Sequence, residues 1–258
     1  MSYITVPDTA NEPWRTVVSV RVRFDTESGP QYKSGSGVVV GRNDVLTASH
    51  LIYDAQYGVA SHVEIVPGRM LDNQPYGTYT AVSWSHEVVD PDGDRVLDQA
   101  EAARDYAVLS FDTPLGDTLG WMALDPGFMA GTANLTGYPA IQSGRMTTET
   151  ASTGPADTAG VLSLEGFDVW RGHSGGPVWT DGPDGPLLVG LVSTIAWGFR
   201  IGGAEYDRIL SLTAANEHLL GAYGPIDVTG GALADDIKGT DHADRIDGAG
   251  GDDTLSGG

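Results

Sequence analysis

Residues 172–179 read Gly172-His173-Ser174-Gly175-Gly176-Pro177-Val178-Trp179. A serine between glycines on a tight turn presents its Oγ to solvent. The flanking glycines let another backbone approach closely and permit conformations that a Cβ would forbid. The N–H groups of Gly172 and Ser174 can converge on one point, as an anion-stabilising hole requires. Pro177–Trp179 then opens an apolar run. With Leu187–Thr194, across the turn at 181–186, it predicts a β-hairpin.

Upstream, two apolar runs end or begin on a titratable residue. Val45-Leu46-Thr47-Ala48-Ser49-His50 follows the small-residue stretch Ser34-Gly35-Ser36-Gly37-Val38-Val39-Val40 and places an imidazole at a strand end. Arg104-Asp105-Tyr106-Ala107-Val108-Leu109 sets a carboxylate at the mouth of another strand. Burying that carboxylate is costly unless it is paired, and a histidine Nδ1–H is a suitable partner. Each motif alone also fits a structural histidine or a strand-end aspartate. Together, in the order His, Asp, Ser, they predict a nucleophilic triad of His50, Asp105 and Ser174, with Gly172 and Ser174 forming the oxyanion hole.

The rest of the chain reads as mostly β. Trp14–Phe24, Val63–Val66, Tyr79–Trp84, Tyr106–Phe111, Gly131–Tyr138 and Gly160–Leu164 are strand candidates among many Gly/Pro turns. A short helix is expected at 97–103 and a longer one near 209–220. From about Pro225 the composition shifts to Gly and Asp.

The chain has 258 residues, 36 of them glycine, with 14 basic and 35 acidic residues and a formal charge of −21. Such a surface repels nucleic acid and anionic lipid, so neither is an expected partner. The absence of cysteine excludes a thiol nucleophile, disulfides and thiolate metal sites. The N-terminus lacks the cationic and apolar regions of a signal peptide. No run approaches the roughly 20 apolar residues of a membrane span, so no membrane insertion is expected.

These motifs resemble the trypsin/chymotrypsin-like serine peptidases, in a bacterial form, over about residues 14–222. The resemblance rests on the stretches 34–50, 104–115 and 172–179. It implies an all-β fold of two six-stranded antiparallel β-barrels with a short C-terminal helix, the triad lying between the barrels. It implies peptide-bond hydrolysis through an acyl-enzyme, with proteins or peptides as substrates. Val189-Gly190-Leu191-Val192-Ser193 resembles the strand bordering the specificity pocket, so Val192 and Ser193 are expected at the substrate. Ser193 is further expected to bond Asp105. Gly203–Ile209 resembles a strand of the family. Asp168, six residues before Ser174, stands where trypsin-like enzymes hold a pocket-floor carboxylate, and implies a preference for basic P1 side chains. Bacterial glutamyl endopeptidases carry histidine where Val192 stands, so glutamyl specificity is not supported. The family's usual Asp before the nucleophile is here His173, which cannot pair with a freed N-terminal ammonium. The rival reading is a catalytically silent protease-like module for binding or adhesion.

Residues 230–258 divide into nines, with Asp235, Asp244 and Asp253 in the sixth place and Ile237, Ile246 and Leu255 in the eighth. This resembles the RTX nonapeptide, which binds Ca²⁺ in a parallel β-roll. Asp235, Asp244 and Asp253 are the expected Ca²⁺ ligands, hard oxygens suited to that ion. The expected division is a protease domain at 1–225 and the start of a β-roll at 226–258. A solenoid needs about three or more repeats and a cap, so further repeats are expected beyond residue 258. The resemblance implies export through a type I secretion apparatus, and a secreted protein without an N-terminal signal peptide.

Overall fold

The computed structural model describes residues 3–183, 185–223, 227–229, 236–238 and 244–256. Alternation builds its longest strands. In Val17–Thr26, Val18, Val20, Val22 and Phe24 are buried while Arg21, Arg23 and Asp25 are exposed. This is the period-2 pattern of a sheet with one face in a core.

The first sheet has seven strands in the order Tyr79–Thr80, His62–Pro67, Val17–Thr26, Gly29–Val39, Asp44–Thr47, Ala107–Ser110 and Ser83–His86. The second has eight. Seven run in the order Ile4–Thr5, Thr147–Thr153, Gly131–Gly137, Pro177–Gly182, Gly185–Val192, Trp197–Arg200 and Val161–Ser163. Ala123–Leu124 pairs in parallel with Gly185–Val192. All other pairings in both sheets are antiparallel. The strands beyond the expected six are two-residue additions: Tyr79–Thr80 in one sheet, Ile4–Thr5 and Ala123–Leu124 in the other.

Both faces of the inner strands are apolar, and this joins the two halves. Val39, Val45, Ala107 and Leu109 enter the core of the first sheet. Their neighbours Val38, Leu46 and Val108 turn the other way, into a core shared with Trp179, Leu188, Leu191 and Phe199 of the second half. A third core, with Leu135, Leu162, Leu164, Val178 and Val189, fills the second sheet. Asp105 and His50 lie at the ends of strands that border the shared core.

Two expectations change. Gly203–Ile209 is not a strand but the start of the helix Gly203–Asn216. After Gly202, Ala204 and Glu205 favour helix, and Ile209 docks the helix on the shared core. The final strand of the second sheet is instead Trp197–Arg200. The Tyr79–Trp84 run is split in two strands at 81–82. Among the described residues no helix is long and apolar enough to cross a membrane.

Beyond the helix, Asp227–Thr229 pairs in parallel with Arg245–Asp247, and Asp236–Lys238 with Thr254–Ser256. In both pairs the partner lies 18 residues on (227 to 245, 236 to 254), the length of two nine-residue repeats. Val228 is buried with Ala214 of the helix, and Ile246 packs against them.

Candidate active site

Asp105 is fully buried. Its Oδ2 accepts from His50 Nδ1 at 2.7 Å and from Ser193 Oγ at 2.6 Å, and its Oδ1 accepts from the His50 backbone N–H at 2.9 Å. Burial alone would raise this carboxyl. The charge and hydrogen bond of His50, with those from Ser193 and the His50 backbone, outweigh it and hold the group below the usual carboxylate range. With Nδ1 donating to Asp105, Nε2 of His50 is left as the face that can take a proton.

His50 sits in the one-turn helix Ser49–Ile52, which begins where the strand Asp44–Thr47 ends. Ser49 Oγ donates to Glu87 O at 2.6 Å and accepts from Glu87 N–H at 2.8 Å. Lys33 Nζ donates to His50 O at 2.7 Å and pairs with Asp54 at 2.8 Å. The imidazole is thus fixed from its own backbone as well as from Asp105.

Ser174 arrives from the second half on a turn that only glycine permits. Gly172 has φ 97°, and a Cβ there would lie 2.4 Å from Tyr138 O. Gly175 has φ 76°, and its Cβ would lie 2.4 Å from Ser36 O. Ser36, fully buried on the first sheet, pins this turn. Its N–H donates to Ser174 O at 2.8 Å, its Oγ donates to Gly172 O at 2.7 Å, and that Oγ accepts from Tyr138 N–H at 2.9 Å.

The Arg171 carbonyl accepts from Ala140 N–H at 2.8 Å. A planar trans peptide therefore turns the Gly172 N–H to the opposite side. Among the described residues neither the Gly172 nor the Ser174 N–H has a hydrogen-bond acceptor.

His173 is buried beneath this turn, 1% exposed. Its Nδ1 accepts from Trp170 N–H at 3.1 Å, so its Nε2 carries the proton and donates to Thr147 Oγ1 at 3.2 Å. Burial pushes its pKa down to about 4, so the ring is neutral. A neutral imidazole here braces the 170–173 loop from within, where the family's usual residue is an aspartate.

His50, Ser174, Val192 and Ser193 line one cavity of about 480 Å³. Its walls come from Lys33, Tyr53 and Asp54, from 89–90 and 95–97, from Val169–Arg171 and from Thr194–Trp197. Ser174 and His50 share this cavity without a hydrogen bond between them among the described residues. Such contacts tighten when a substrate is in place.

Asp168 is not among the lining residues. Its N–H donates to Glu149 Oε2 at 2.8 Å, and Glu149 is buried. Of the expected Ca²⁺ ligands, Asp235 lies outside the described residues. Asp244 is half-buried. The Asp253 carboxylate occupies the space over Gly248, where a Cβ would come within 2.2 Å of its Oδ2.

Several groups at the site escape the motif reading. Ser36 and Lys33 act through backbone carbonyls, which no spacing rule reveals. Trp170 and Ile195 line the cavity but carry no motif of their own. The Asp90-Pro91-Asp92-Gly93-Asp94 run did carry a signal, in its alternating carboxylates.

Residues 35–191 match the family model described as a trypsin-like peptidase domain. The chain is 26% identical over 220 residues to the glutamyl endopeptidase of Bacillus licheniformis, covering 81% of this chain and 62% of that protein. It is 24% identical over 190 residues to the extracellular metalloprotease of Bacillus subtilis, covering 69% and 56%. It therefore spans about 60% of the length of these curated relatives. Among solved structures, a Glu endopeptidase in complex with MPD superposes with a TM-score of 0.65 at 19% identity, covering 83% of this chain and 97% of that one. The protease Anisep of Arthrobacter nicotinovorans gives 0.60 at 15%, covering 78% and 94%. These likenesses show the chymotrypsin-like two-barrel fold. With the family model spanning more than half of its length, the chain belongs to the trypsin-like peptidase domain family.

Proposed function

We propose that this chain is a secreted serine endopeptidase that hydrolyses peptide bonds through Ser174, His50 and Asp105. The observation that carries the reading is the Asp105 carboxylate, buried and still ionised, accepting the Nδ1–H of His50. His50 Nε2 takes the Ser174 proton as Oγ attacks the scissile carbonyl, then gives it to the leaving amine. Asp105 holds the tautomer and stabilises the imidazolium. The free N–H groups of Gly172 and Ser174 receive the oxyanion. Water then repeats the sequence on the acyl-enzyme. The chemistry needs no cofactor.

One relative bears the name of a metalloprotease. His50 is the one histidine among the cavity-lining residues, and its Nδ1 is committed to Asp105. The serine mechanism uses the groups present without further ligands. A fluorophosphonate probe tests it. Labelling of Ser174, lost in Ser174→Ala, supports the peptidase. A folded wild-type chain that does not label Ser174 is instead the silent binding module.

A basic P1 preference rests on Asp168, placed six residues before Ser174. Its carboxylate stands outside the cavity lining, whose charged members are Lys33, Asp54, Asp90, Arg95 and Arg171. Cleavage-site mapping on a denatured protein mixture decides it. Cuts after Arg or Lys that disappear in Asp168→Ser support the preference, and cuts without basic P1 residues reject it.

For the C-terminal segment we propose a Ca²⁺-binding β-roll from about residue 226, which serves export through a type I apparatus. The 18-residue parallel register and the Asp253 carboxylate seated over Gly248 support it. Asp244 and Asp253, with Asp235 in the matching place, would hold the ion. Calcium would neutralise carboxylates that otherwise repel one another and so couple binding to folding. Loss of export on deleting 226–258 supports the address, and unchanged export rejects it.

A further inference from the structure

We propose a second, separate Ca²⁺ site in the loop Asp90–Glu101, at the wall of the substrate cavity. Carboxylate oxygens of Asp90, Asp92 and Asp94 converge within 4.8 Å of one another. Asp90 is only 9% exposed. Its Oδ2 accepts from Arg95 N–H at 3.2 Å, while its Oδ1 is buried with no hydrogen-bond partner among the described residues. An orphaned, buried carboxylate oxygen is costly. Two further carboxylates beside it add like-charge repulsion.

No basic side chain relieves this among the described residues. Arg95, the nearest in sequence, bonds Gln56 Oε1 and lies over the Tyr57 ring at 5.9 Å. Backbone contacts take one oxygen of each remaining carboxylate: Asp92 Oδ1 accepts from Asp94 N–H and Asp94 Oδ1 from Val96 N–H. Each keeps a second oxygen for a ligand.

A metal cation is the partner this arrangement lacks, and the dimensions select calcium. Ca–O bonds run about 2.3–2.6 Å, so oxygens on opposite sides of one ion stand about 5 Å apart. Magnesium, at about 2.0–2.1 Å, needs a tighter and near-octahedral set.

The spacing offers candidates for further ligands. Counted from Asp90, carboxylates stand first, third and fifth, an apolar residue (Val96) offers its carbonyl at the seventh place, and Glu101 is twelfth. This is the ligand spacing of the EF-hand loop, in which a glutamate closes the coordination at the twelfth place. The sixth place, normally glycine, must turn sharply. Arg95 does so, with φ 66°. Glu101 lies outside the 4.8 Å cluster of the three aspartates: it sits in the helix Gln99–Ala102, is 8% exposed, and its Oε2 accepts from Asp98 N–H at 2.8 Å. The helix ends three residues before Asp105. Calcium here would stiffen a cavity wall that includes Asp90, Val96 and Leu97.

The test is amide exchange of the full chain in about 1 mM Ca²⁺, a concentration typical of extracellular sites, or in chelator. Peptides covering 88–104 and 227–256 are read separately. Neither readout requires hydrolytic activity. Asp92→Asn/Asp94→Asn changes two exposed residues and keeps the oxygens that accept backbone bonds. We expect Ca²⁺ at ten times its Kd to slow exchange in 92–102 about tenfold. The double variant should lose that response. Equal exchange in 92–102 with Ca²⁺ and with chelator overturns the site, as does a full Ca²⁺ response in the double variant. An equal response to Mg²⁺ alone overturns the assignment to calcium.

Discussion

Ser193 Oγ and His50 Nδ1 share one acceptor, Oδ2 of Asp105, at 2.6 and 2.7 Å. Ser193 comes from the second half of the molecule and His50 from the first. The carboxylate between them is therefore oriented by both. Ser193→Ala removes one donor and leaves the backbone unchanged. A hydrogen bond to a charged group contributes about 1.5–3 kcal/mol. We predict kcat/KM on a peptide substrate to fall about tenfold with the fold intact. Unchanged kinetics would show that His50 alone orients Asp105.

His173 should matter to rate and to acid stability. His173→Ala leaves the Trp170 N–H without its acceptor and opens a cavity under the 170–173 loop. We predict a drop of about ten- to a hundredfold in kcat/KM, below the roughly 10²–10³-fold cost of deleting an oxyanion donor outright, because the turn is loosened and its donors remain. The ring's pKa is lowered in the fold from 6.5 to about 4. Its neutral form therefore contributes stability that is complete above about 6.5 and is lost as pH falls toward 4. Urea midpoints measured from pH 7 to 4 should fall less steeply in the variant. Parallel curves for the two proteins would contradict the assignment.

Asp44 points the other way. It is buried, its Oδ1 accepts from Ser110 Oγ and Asn216 Nδ2, and its Oδ2 has no partner among the described residues. Burial, against those two hydrogen bonds and aided by Glu217, pushes its pKa from 3.8 up to about 8. A raised carboxyl favours the folded state below its unfolded value and loses that contribution as pH climbs through 8. Asp44→Asn should thus raise Tm relative to wild type at pH 9 and have little effect at pH 4. The same Tm difference at both values would refute the buried-acid reading.

Gly172→Ala tests the turn itself. The added Cβ would meet Tyr138 O at 2.4 Å in a conformation that L side chains rarely adopt. We predict loss of fluorophosphonate labelling with the bulk fold, followed by far-UV circular dichroism, retained. Full labelling in the variant would mean that the 170–175 turn tolerates another geometry.

The sequence reveals most where geometry is set by the backbone. Ser174, His50 and Asp105 stand out because each needs particular neighbours: glycines for the turn, apolar runs for the strand ends. The strand Thr147–Thr153 has no apolar alternation to reveal it. Its buried Thr147, Thr148 and Glu149 are satisfied by His173, Thr136 and the Asp168 N–H, all distant in sequence. The Gly203–Ile209 segment misleads for a related reason. Its tyrosine and arginine fit a strand motif, while helix propensity and the docking of Ile209 decide the outcome. Cavity membership, which separates Val192 and Ser193 from Asp168, depends on the folded loops and is written in no local spacing.

The brace under the nucleophile turn has a consequence for any cleavage of the chain. In relatives that wait for a freed N-terminus, cutting the chain is the signal that sets the oxyanion loop. Here the place is held by a buried, neutral His173, bonded to Thr147 and Trp170, which cannot supply the anion that such an ammonium would pair with. A terminus freed by any cut in this chain must therefore act somewhere other than beneath the nucleophile.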